Sequence, residues 1–389
     1  MKILHLATFL QGGAGRAIVD LVHEQHAAGH DVTVVVSGSG VPGYGNYQAY
    51  LDELIALHIP VRLVDSMFER THARNLAVVN ALDQMFAIGQ EPQIIHAHAA
   101  IPSLVALLFA GSRHGATAIL QTMHGWGLVK TSDQVATDVS VLNLVDRVVV
   151  PSAHSAGILA ALGVTPTRIS MVPYGVRPEA GGVFDDDHQT QLEMTRARNE
   201  GALVVACVGT FNQRKNQTLL VDAIGRLGDM PILGVFVGDG DQGTLREAIA
   251  AHGCGDRVRV HGYSRGARQL AAAADLLVLP SRSEGQPIAV LEAFCDGTLV
   301  AVSDIPELVE LVDNGLLGFT FRSDDPQDLA GTLRTFSRLP ASTRRLIRRR
   351  ARARYGSRFT VAAMATGYLD VYQTLVTAVD GRRRESPAA

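Results

Sequence analysis

The chain alternates between short aliphatic runs and helical stretches, in two successive series. The first series of strand candidates is Ile3–Thr8, Asp31–Ser37, Val61–Asp65, Ile94–His98, Ala118–Met123, Arg147–Pro151 and Ile169–Pro173. The second is Ala202–Val208, Ile232–Val237, Arg257–His261, Leu276–Leu279, Leu299–Ser303 and Gly318–Phe321. Between the first two strands lies Arg16–Ala28. Its apolar Ala17, Ile18, Leu21 and Val22 recur at helical spacing before the stop at Gly29. Near-continuous aliphatic strands separated by helices belong to parallel sheets covered on both faces. Around residues 178–200 the pattern lapses into the polar, acidic stretch PEAGGVFDDDHQTQ. The expected fold is therefore α/β, with two Rossmann-like doubly wound domains at 1–178 and 179–358. A chain of 389 residues suits two such domains.

After Asp324 the chain turns helical and rich in arginine. At 359–378, Val361, Met364, Ala365, Tyr368, Leu369, Tyr372 and Leu375 recur at intervals of three and four, as in one amphipathic helix. Residues 379–389 read as a frayed, flexible tail. Two doubly wound domains facing each other would make a cleft at the carboxyl ends of their strands, where such sheets bind ligands.

The net charge of −3 conceals a strong asymmetry. Ten arginines and no acid fall between Arg334 and Arg358, so the rest of the chain is acidic. That distribution excludes a uniformly basic nucleic-acid binder. Lysine is scarce: only Lys2, Lys130 and Lys215 occur. The cysteines Cys207, Cys254 and Cys295 are odd in number and far apart, which argues against a disulfide framework or a Cys-based zinc site. The start MKILHLATFLQGGAG lacks signal-peptide form, and the longest apolar runs reach about half a membrane span. A soluble cytoplasmic protein is the expectation.

Three clusters follow strands. Gly12-Gly13-Ala14-Gly15 precedes the first helix, where glycines admit a ligand to the backbone and unpaired N–H groups face an anion. The spacing does not fit a GxGxxG dinucleotide site, and a tight turn without ligand remains open. The second cluster, Gly209 to Asn216, carries Arg214 and Lys215 just before a helix. Arg grips phosphate through two N–H groups and Lys adds a point charge, although a solvated cation pair is the alternative. The third, Pro280 to Ala293, sets Glu284 in a loop and Glu292 inside the following helix. Two carboxylates at the mouth of one strand–helix unit can bind separate hydroxyl groups of a polyhydroxylated ligand. The backbone N–H groups of Gly285, Gln286 and Ile288 are expected to face the same space.

Here the sequence resembles a known family. SRSEGQPIAVLEAFCDGTLVAVSDIPELV looks like the donor-site signature of the retaining glycosyltransferases of family 4, which have the GT-B fold. Glu284 and Glu292 match the family's Glu-x7-Glu pattern. VGTFNQRKNQTLLVDAI is similar to its phosphate loop, and VFVGDGDQGTLREAI and RVRVHGYS resemble the next strands of its donor domain. GGAG, IIHAHA, TMHG and VPYGV fit its first domain, and the last helix resembles the one that crosses back to that domain. The resemblance covers nearly the whole chain. It implies transfer of a sugar from a nucleoside-diphosphate sugar to an acceptor hydroxyl, with the donor as co-substrate, no cofactor and no metal.

Residue by residue, the resemblance implies that Arg214 and Lys215 neutralise the donor diphosphate beside Gly209. It gives Glu292 the ribose hydroxyls and Glu284 the sugar hydroxyls. Gly12 and Gly13 admit the donor from the first domain, His124 touches the transferred sugar, and Tyr263 lies near the base. Glu284, His124, Lys215 and Arg214 form the implied catalytic set. Two departures stand out: Thr210 replaces an arginine common after the first glycine of the phosphate loop, and Ile305-Pro306-Glu307 replaces a frequent glycine pair.

Asp185-Asp186-Asp187 resembles a metal-binding DxD, but it lies in the linker, and His96-x-His98 has ligand spacing with no third ligand in view. Rival functions on this scaffold are a nucleotide-sugar epimerase, a phosphorylase and a non-catalytic nucleotide-sugar-binding subunit. The acceptor is a glycan, a lipid-linked or a small-molecule hydroxyl, with contacts expected in Ser39–Tyr47 and Gly127–Thr137. Arg334–Arg358 is either a solvated helical surface or a peripheral contact with an anionic inner membrane face.

Overall fold

The computed structural model describes residues 1–65, 67, 71–113, 117–127, 130–179 and 185–385. The chain forms two compact units. One comprises Met1–Gly175 and the chain from Val361 onward; the other is Val176–Thr360.

In the first unit seven strands form one sheet: β1 Lys2–Ala7, β2 Asp31–Ser37, β3 Val61–Val64, β4 Ile94–Ala97, β5 Ala118–Thr122, β6 Arg147–Val150 and β7 Ile169–Met171. Their spatial order is β3-β2-β1-β4-β5-β6-β7, and each pair is parallel. In the second unit β8 Leu203–Val208, β9 Ile232–Val237, β10 Val258–Gly262, β11 Leu276–Leu279, β12 Leu299–Ser303 and β13 Phe319–Phe321 form a parallel sheet in the order β10-β9-β8-β11-β12-β13. The aliphatic runs become central strands because both faces are covered. Leu4, Leu6, Ile94 and Ile95 are fully buried, as are Val204, Val205, Leu276 and Leu277. Each sheet reverses its winding once, between β1 and β4 and between β8 and β11. The crevice at such a reversal is where open α/β sheets bind ligands.

Three expectations need correction. The division falls at Gly175 and Val176 rather than at 178. Within the polar stretch 178–200, residues His188–Asn199 form a helix that buries only Thr190 and Met194, so it carries no apolar stripe to read. The last helix runs Val361–Glu385, well beyond the expected end at 378, and so takes in most of the residues read as a frayed tail. Residues 180–184, 386–389 and, within the proposed acceptor segment, 128–129 lie outside the described residues. Among the described residues no helix is long and apolar enough to cross a membrane.

Part of the arginine block caps helix ends. On helix Ala341–Arg358, Arg344 donates to the carbonyls of Phe336 (2.8 Å) and Ser337 (3.0 Å). Arg348 donates to Gly297 O and Arg352 to Asp296 O, both at 2.6 Å. These guanidinium groups satisfy the last carbonyls of helices Pro326–Ser337 and Ile288–Asp296 and meet the negative ends of their dipoles. Arg345, Arg349 and Arg350 stay exposed.

The loops after β8 and β9 meet backbone to backbone. A Cβ on Gly238 would stand 2.1 Å from the carbonyl oxygen of Gly209. Gly238→Ala is therefore expected to lower stability by about 1–3 kcal/mol in urea unfolding. Gly331→Ala, in the helix Pro326–Ser337 with open space around its new methyl, is expected to raise it by about 0.5–1 kcal/mol. Equal effects at the two positions would contradict this packing.

Candidate active site

The second unit's reversal point gathers charge. Gly209 ends β8 at φ 144°, a conformation that favours glycine, and a Cβ there would press on the Lys215 side chain at 3.4 Å. The loop that follows is held by its own side chains. Gln217 Nε2 donates to the carbonyls of Gly209 (3.2 Å) and Thr210 (2.9 Å), and Asn212 Oδ1 accepts from the Lys215 N–H at 3.0 Å. The backbone N–H of Arg282 donates to Arg214 O at 2.8 Å, which ties this loop to the one after β11.

That tie brings Glu284 against both cations. Lys215 Nζ lies 2.6 Å from Glu284 Oε1 and Arg214 Nη1 lies 3.0 Å from Oε2; Arg214 also donates to Ser283 O at 2.9 Å. The Glu284 side chain is 5% exposed and that of Lys215 14%, so water screens this pair poorly. Burial alone would raise the Glu284 carboxyl pKa. The Lys215 and Arg214 charges outweigh it and hold the group below the ordinary carboxylate range. Cys207 beneath the loop is pushed up to about 12 by burial, against the pull of Lys215, so it stays a thiol.

A third carboxylate supports the first. The Glu284 backbone N–H donates to Glu307 Oε1 at 2.7 Å, and Glu307 is buried in the first turn of helix Pro306–Leu311.

The first unit holds a second constellation at its own reversal point. His5 on β1, His96 on β4, His98 just after β4 and His124 just after β5 lie with neighbouring rings 4.1–5.3 Å apart. His5 Nε2 meets Gln25 Oε1 (2.8 Å) and its Nδ1 meets His98 Nε2 (2.9 Å). His98 Nδ1 meets His124 Nε2 (3.1 Å), and His124 Nδ1 meets the Tyr174 hydroxyl (2.6 Å). His96 bridges the Tyr372 hydroxyl and Thr122 Oγ1, each at 2.7 Å, and Thr122 meets Tyr368 at 2.8 Å. The ligand atoms of His5, His96 and His98 lie within 4.8 Å of one another, close enough for a shared metal ion. Each of these ring nitrogens already has a hydrogen-bond partner, so a cation would have to displace the network.

Known proteins are similar to this chain in sequence and fold. The family model described as "Glycosyltransferase Family 4" matches residues 11–180, and the one described as "Glycosyl transferases group 1" matches residues 202–338. The D-inositol 3-phosphate glycosyltransferase 1 of Catenulispora acidiphila is 28% identical over 317 residues, covering 74% of each chain. The UDP-Gal:alpha-D-GlcNAc-diphosphoundecaprenol alpha-1,3-galactosyltransferase of Escherichia coli is 24% identical over 67% of this chain and 72% of its own length. HepE of Anabaena, whose crystal structure is in complex with UDP-glucose, superposes with a TM-score of 0.80 over 96% of this chain and all of its own, at 21% identity. This chain belongs to glycosyltransferase family 4.

Of the residues singled out from the sequence of this family 4 glycosyltransferase, the structure joins Arg214, Lys215 and Glu284 directly. Gly285, Gln286 and Ile288 continue the Glu284 loop into helix Ile288–Asp296, with Gln286 and Ile288 buried. Glu292 lies inside that helix, half-buried, in the field of Arg268, which also forks onto Asp296 at 2.7 and 2.8 Å. Tyr263, just past β10 at the sheet edge, is 55% exposed. Gly12 begins the first helix of the other unit at φ 55°, followed by exposed Gly13, and His124 sits in the histidine network. In the DxD-like run, Asp187 pairs with His261 at 2.9 Å and accepts from Ser264 at 2.6 Å. Sequence reasoning noted Glu307 only as a departure. Its signal was an acid directly after Pro306, in a first helical turn at the same sheet edge.

Burial lowers the pKa of all four network histidines, that of His5 and His124 to about 4, from an ordinary 6.5. Between those values the unfolded chain binds protons that the folded unit refuses, so stability is full above pH 6.5 and falls as the pH drops. At pH 5 the expected loss relative to pH 7.5 is roughly 2 kcal/mol for each of His5 and His124, read from urea midpoints. A flat profile over this range would contradict the neutral network.

Proposed function

We propose that this glycosyltransferase moves a sugar from a nucleoside-diphosphate sugar to an acceptor hydroxyl with retention of anomeric configuration, without a metal. The observation that carries the reading is the Lys215–Glu284–Arg214 cluster at the reversal point of the second unit. Cleavage of a nucleoside-diphosphate sugar leaves charge on the diphosphate. Lys215, little exposed, and Arg214, beside it, stabilise the charge added on cleavage more than the charge the donor already carries, which lowers the barrier. They fill the role a divalent ion would otherwise take. A uridine donor is supported by two similar proteins: HepE, crystallised in complex with UDP-glucose, and the Escherichia coli galactosyltransferase, named for UDP-Gal.

Roles follow from position. Arg214 and Lys215 hold the phosphates, and Glu284, once it shares its cations with them, turns its oxygens to the sugar hydroxyls. Glu292 takes the ribose hydroxyls and Tyr263 the base. For His124 and the Gly12–Gly13 turn the family resemblance implies contacts with the donor. Glu284 is neutralised by its two partners and is therefore a poor nucleophile. The reaction needs none if the departing phosphate takes the acceptor's proton on the same face. The acceptor class is a hydroxyl compound held by the first unit, and the exposed Arg345, Arg349 and Arg350 offer a surface for an anionic membrane.

Lys215→Ala and Glu292→Ala should each lower turnover of a UDP-sugar at least tenfold while the protein stays folded. A thermal-shift comparison of UDP-, GDP-, ADP- and dTDP-sugars should show stabilisation by the uridine donor. Wild-type kinetics in either variant would remove the phosphate or ribose assignment. Absence of stabilisation by all four donors would remove the donor reading.

A further inference from the structure

Gln25 is the one group in the histidine network whose donor and acceptor ends differ chemically. It is fully buried on helix Gly12–Ala27, with its amide between two branches. The amide nitrogen can only donate and the amide oxygen can only accept. Nε2 lies 3.0 Å from the Tyr372 hydroxyl and Oε1 lies 2.8 Å from His5 Nε2.

Each branch then has one direction. On the first, His5 must carry its proton on Nε2 to donate to Gln25, leaving Nδ1 to accept from His98 Nε2–H. His98 Nδ1 accepts in turn from His124 Nε2–H, and His124 Nδ1 accepts from the Tyr174 hydroxyl. On the second, Tyr372 accepts from Gln25 and passes its hydrogen to His96 Nδ1. His96 Nε2–H donates to Thr122, and the Thr122 hydroxyl to Tyr368. No member needs a charge, and a proton added to any ring would stand beside another imidazole in a buried space. The groups facing the rings are neutral: Gln25, Thr122, Tyr174, Tyr368 and Tyr372.

We propose that Gln25 is a positioning residue: its amide sets the direction of the whole network and holds His124 as a neutral Nε2–H imidazole whose Nδ1 is an acceptor. The consequence rests on the reading that His124 touches the donor sugar. A ligand hydroxyl that takes the place of Tyr174 must then donate to His124, and a group that can only accept is refused. His124 is also withheld from the role of cationic acid.

The test is the tautomeric state of the histidines, read by long-range proton–nitrogen correlation spectra of the full-length protein carrying nitrogen-15 histidine, with no donor present. The network signals are identified at pH 7 through the variants that touch them. Tyr174→Phe and Tyr372→Phe assign His124 and His96 through their local shifts. All four are expected to carry hydrogen on Nε2 and none on Nδ1. In Gln25→Leu, which keeps the volume but removes both ends of the amide, His5 loses its acceptor and should populate the Nδ1–H form, with His98 and His124 following. Nδ1–H or cationic rings in the wild type at pH 7 would overturn the proposal, as would an unchanged pattern in a folded Gln25→Leu. If Gln25→Leu does not fold, the wild-type pattern still decides the direction. Because no sugar nucleotide enters the measurement, failure of the donor reading would leave this result standing, and the reverse.

Discussion

A carboxylate wedged between two cations governs the second unit. Glu284 joins the loop after β11 to the loop after β8, and it does so in a place where water has little access. Removing one partner of such a group costs more than the bond is worth, because the remaining charge is left buried. The surrounding devices serve that junction: the glycine at β8's end, the amide of Gln217 folded back onto the loop, and Glu307 fastening the Glu284 backbone. A ligand with two phosphates would enter a site whose cations are already aimed, so little ordering entropy would be spent on binding.

The parallel sheets were legible because their strands are aliphatic on both faces, and a short run of that kind between helices fits a central strand far better than an edge strand or a loop. Lys215 and Glu284 were legible from scarcity and spacing: a rare lysine after a strand, and two acids set eight residues apart in a strand–helix unit. What was not legible has physical reasons. The helix His188–Asn199 hides because it rests on the domain by two residues rather than by a stripe. Glu307 hides because its work is done on a backbone N–H, which has no signature in sequence. The hydrogen-bond network of His5, Gln25, His96, His98 and His124 draws on residues far apart in the chain, and only the fold makes them neighbours. The arginine block reads as surface charge, and much of it is exposed; what the sequence does not show is that Arg344, Arg348 and Arg352 also cap helix carbonyls.

The two units place polar chemistry differently at equivalent positions. At the second unit's reversal point the groups are charged and paired. At the first unit's they are neutral and joined by directed hydrogen bonds, which carry orientation without net charge. A neutral network tolerates burial that an ionised one would not.

The path of the chain has a consequence for how the protein is made. The second unit is entered at Val176 and left at Thr360, and these two residues pair as a β-bridge. Its ends are thus side by side, and the whole unit is an insertion within the first. During synthesis from the amino terminus, the inserted unit is complete on the ribosome before helix Val361–Glu385 exists. The earlier-born unit must wait, its core open, for the last stretch of polypeptide to deliver Tyr368 and Tyr372. Birth order and completion order are therefore inverted: the unit begun first is completed after the one inserted in it.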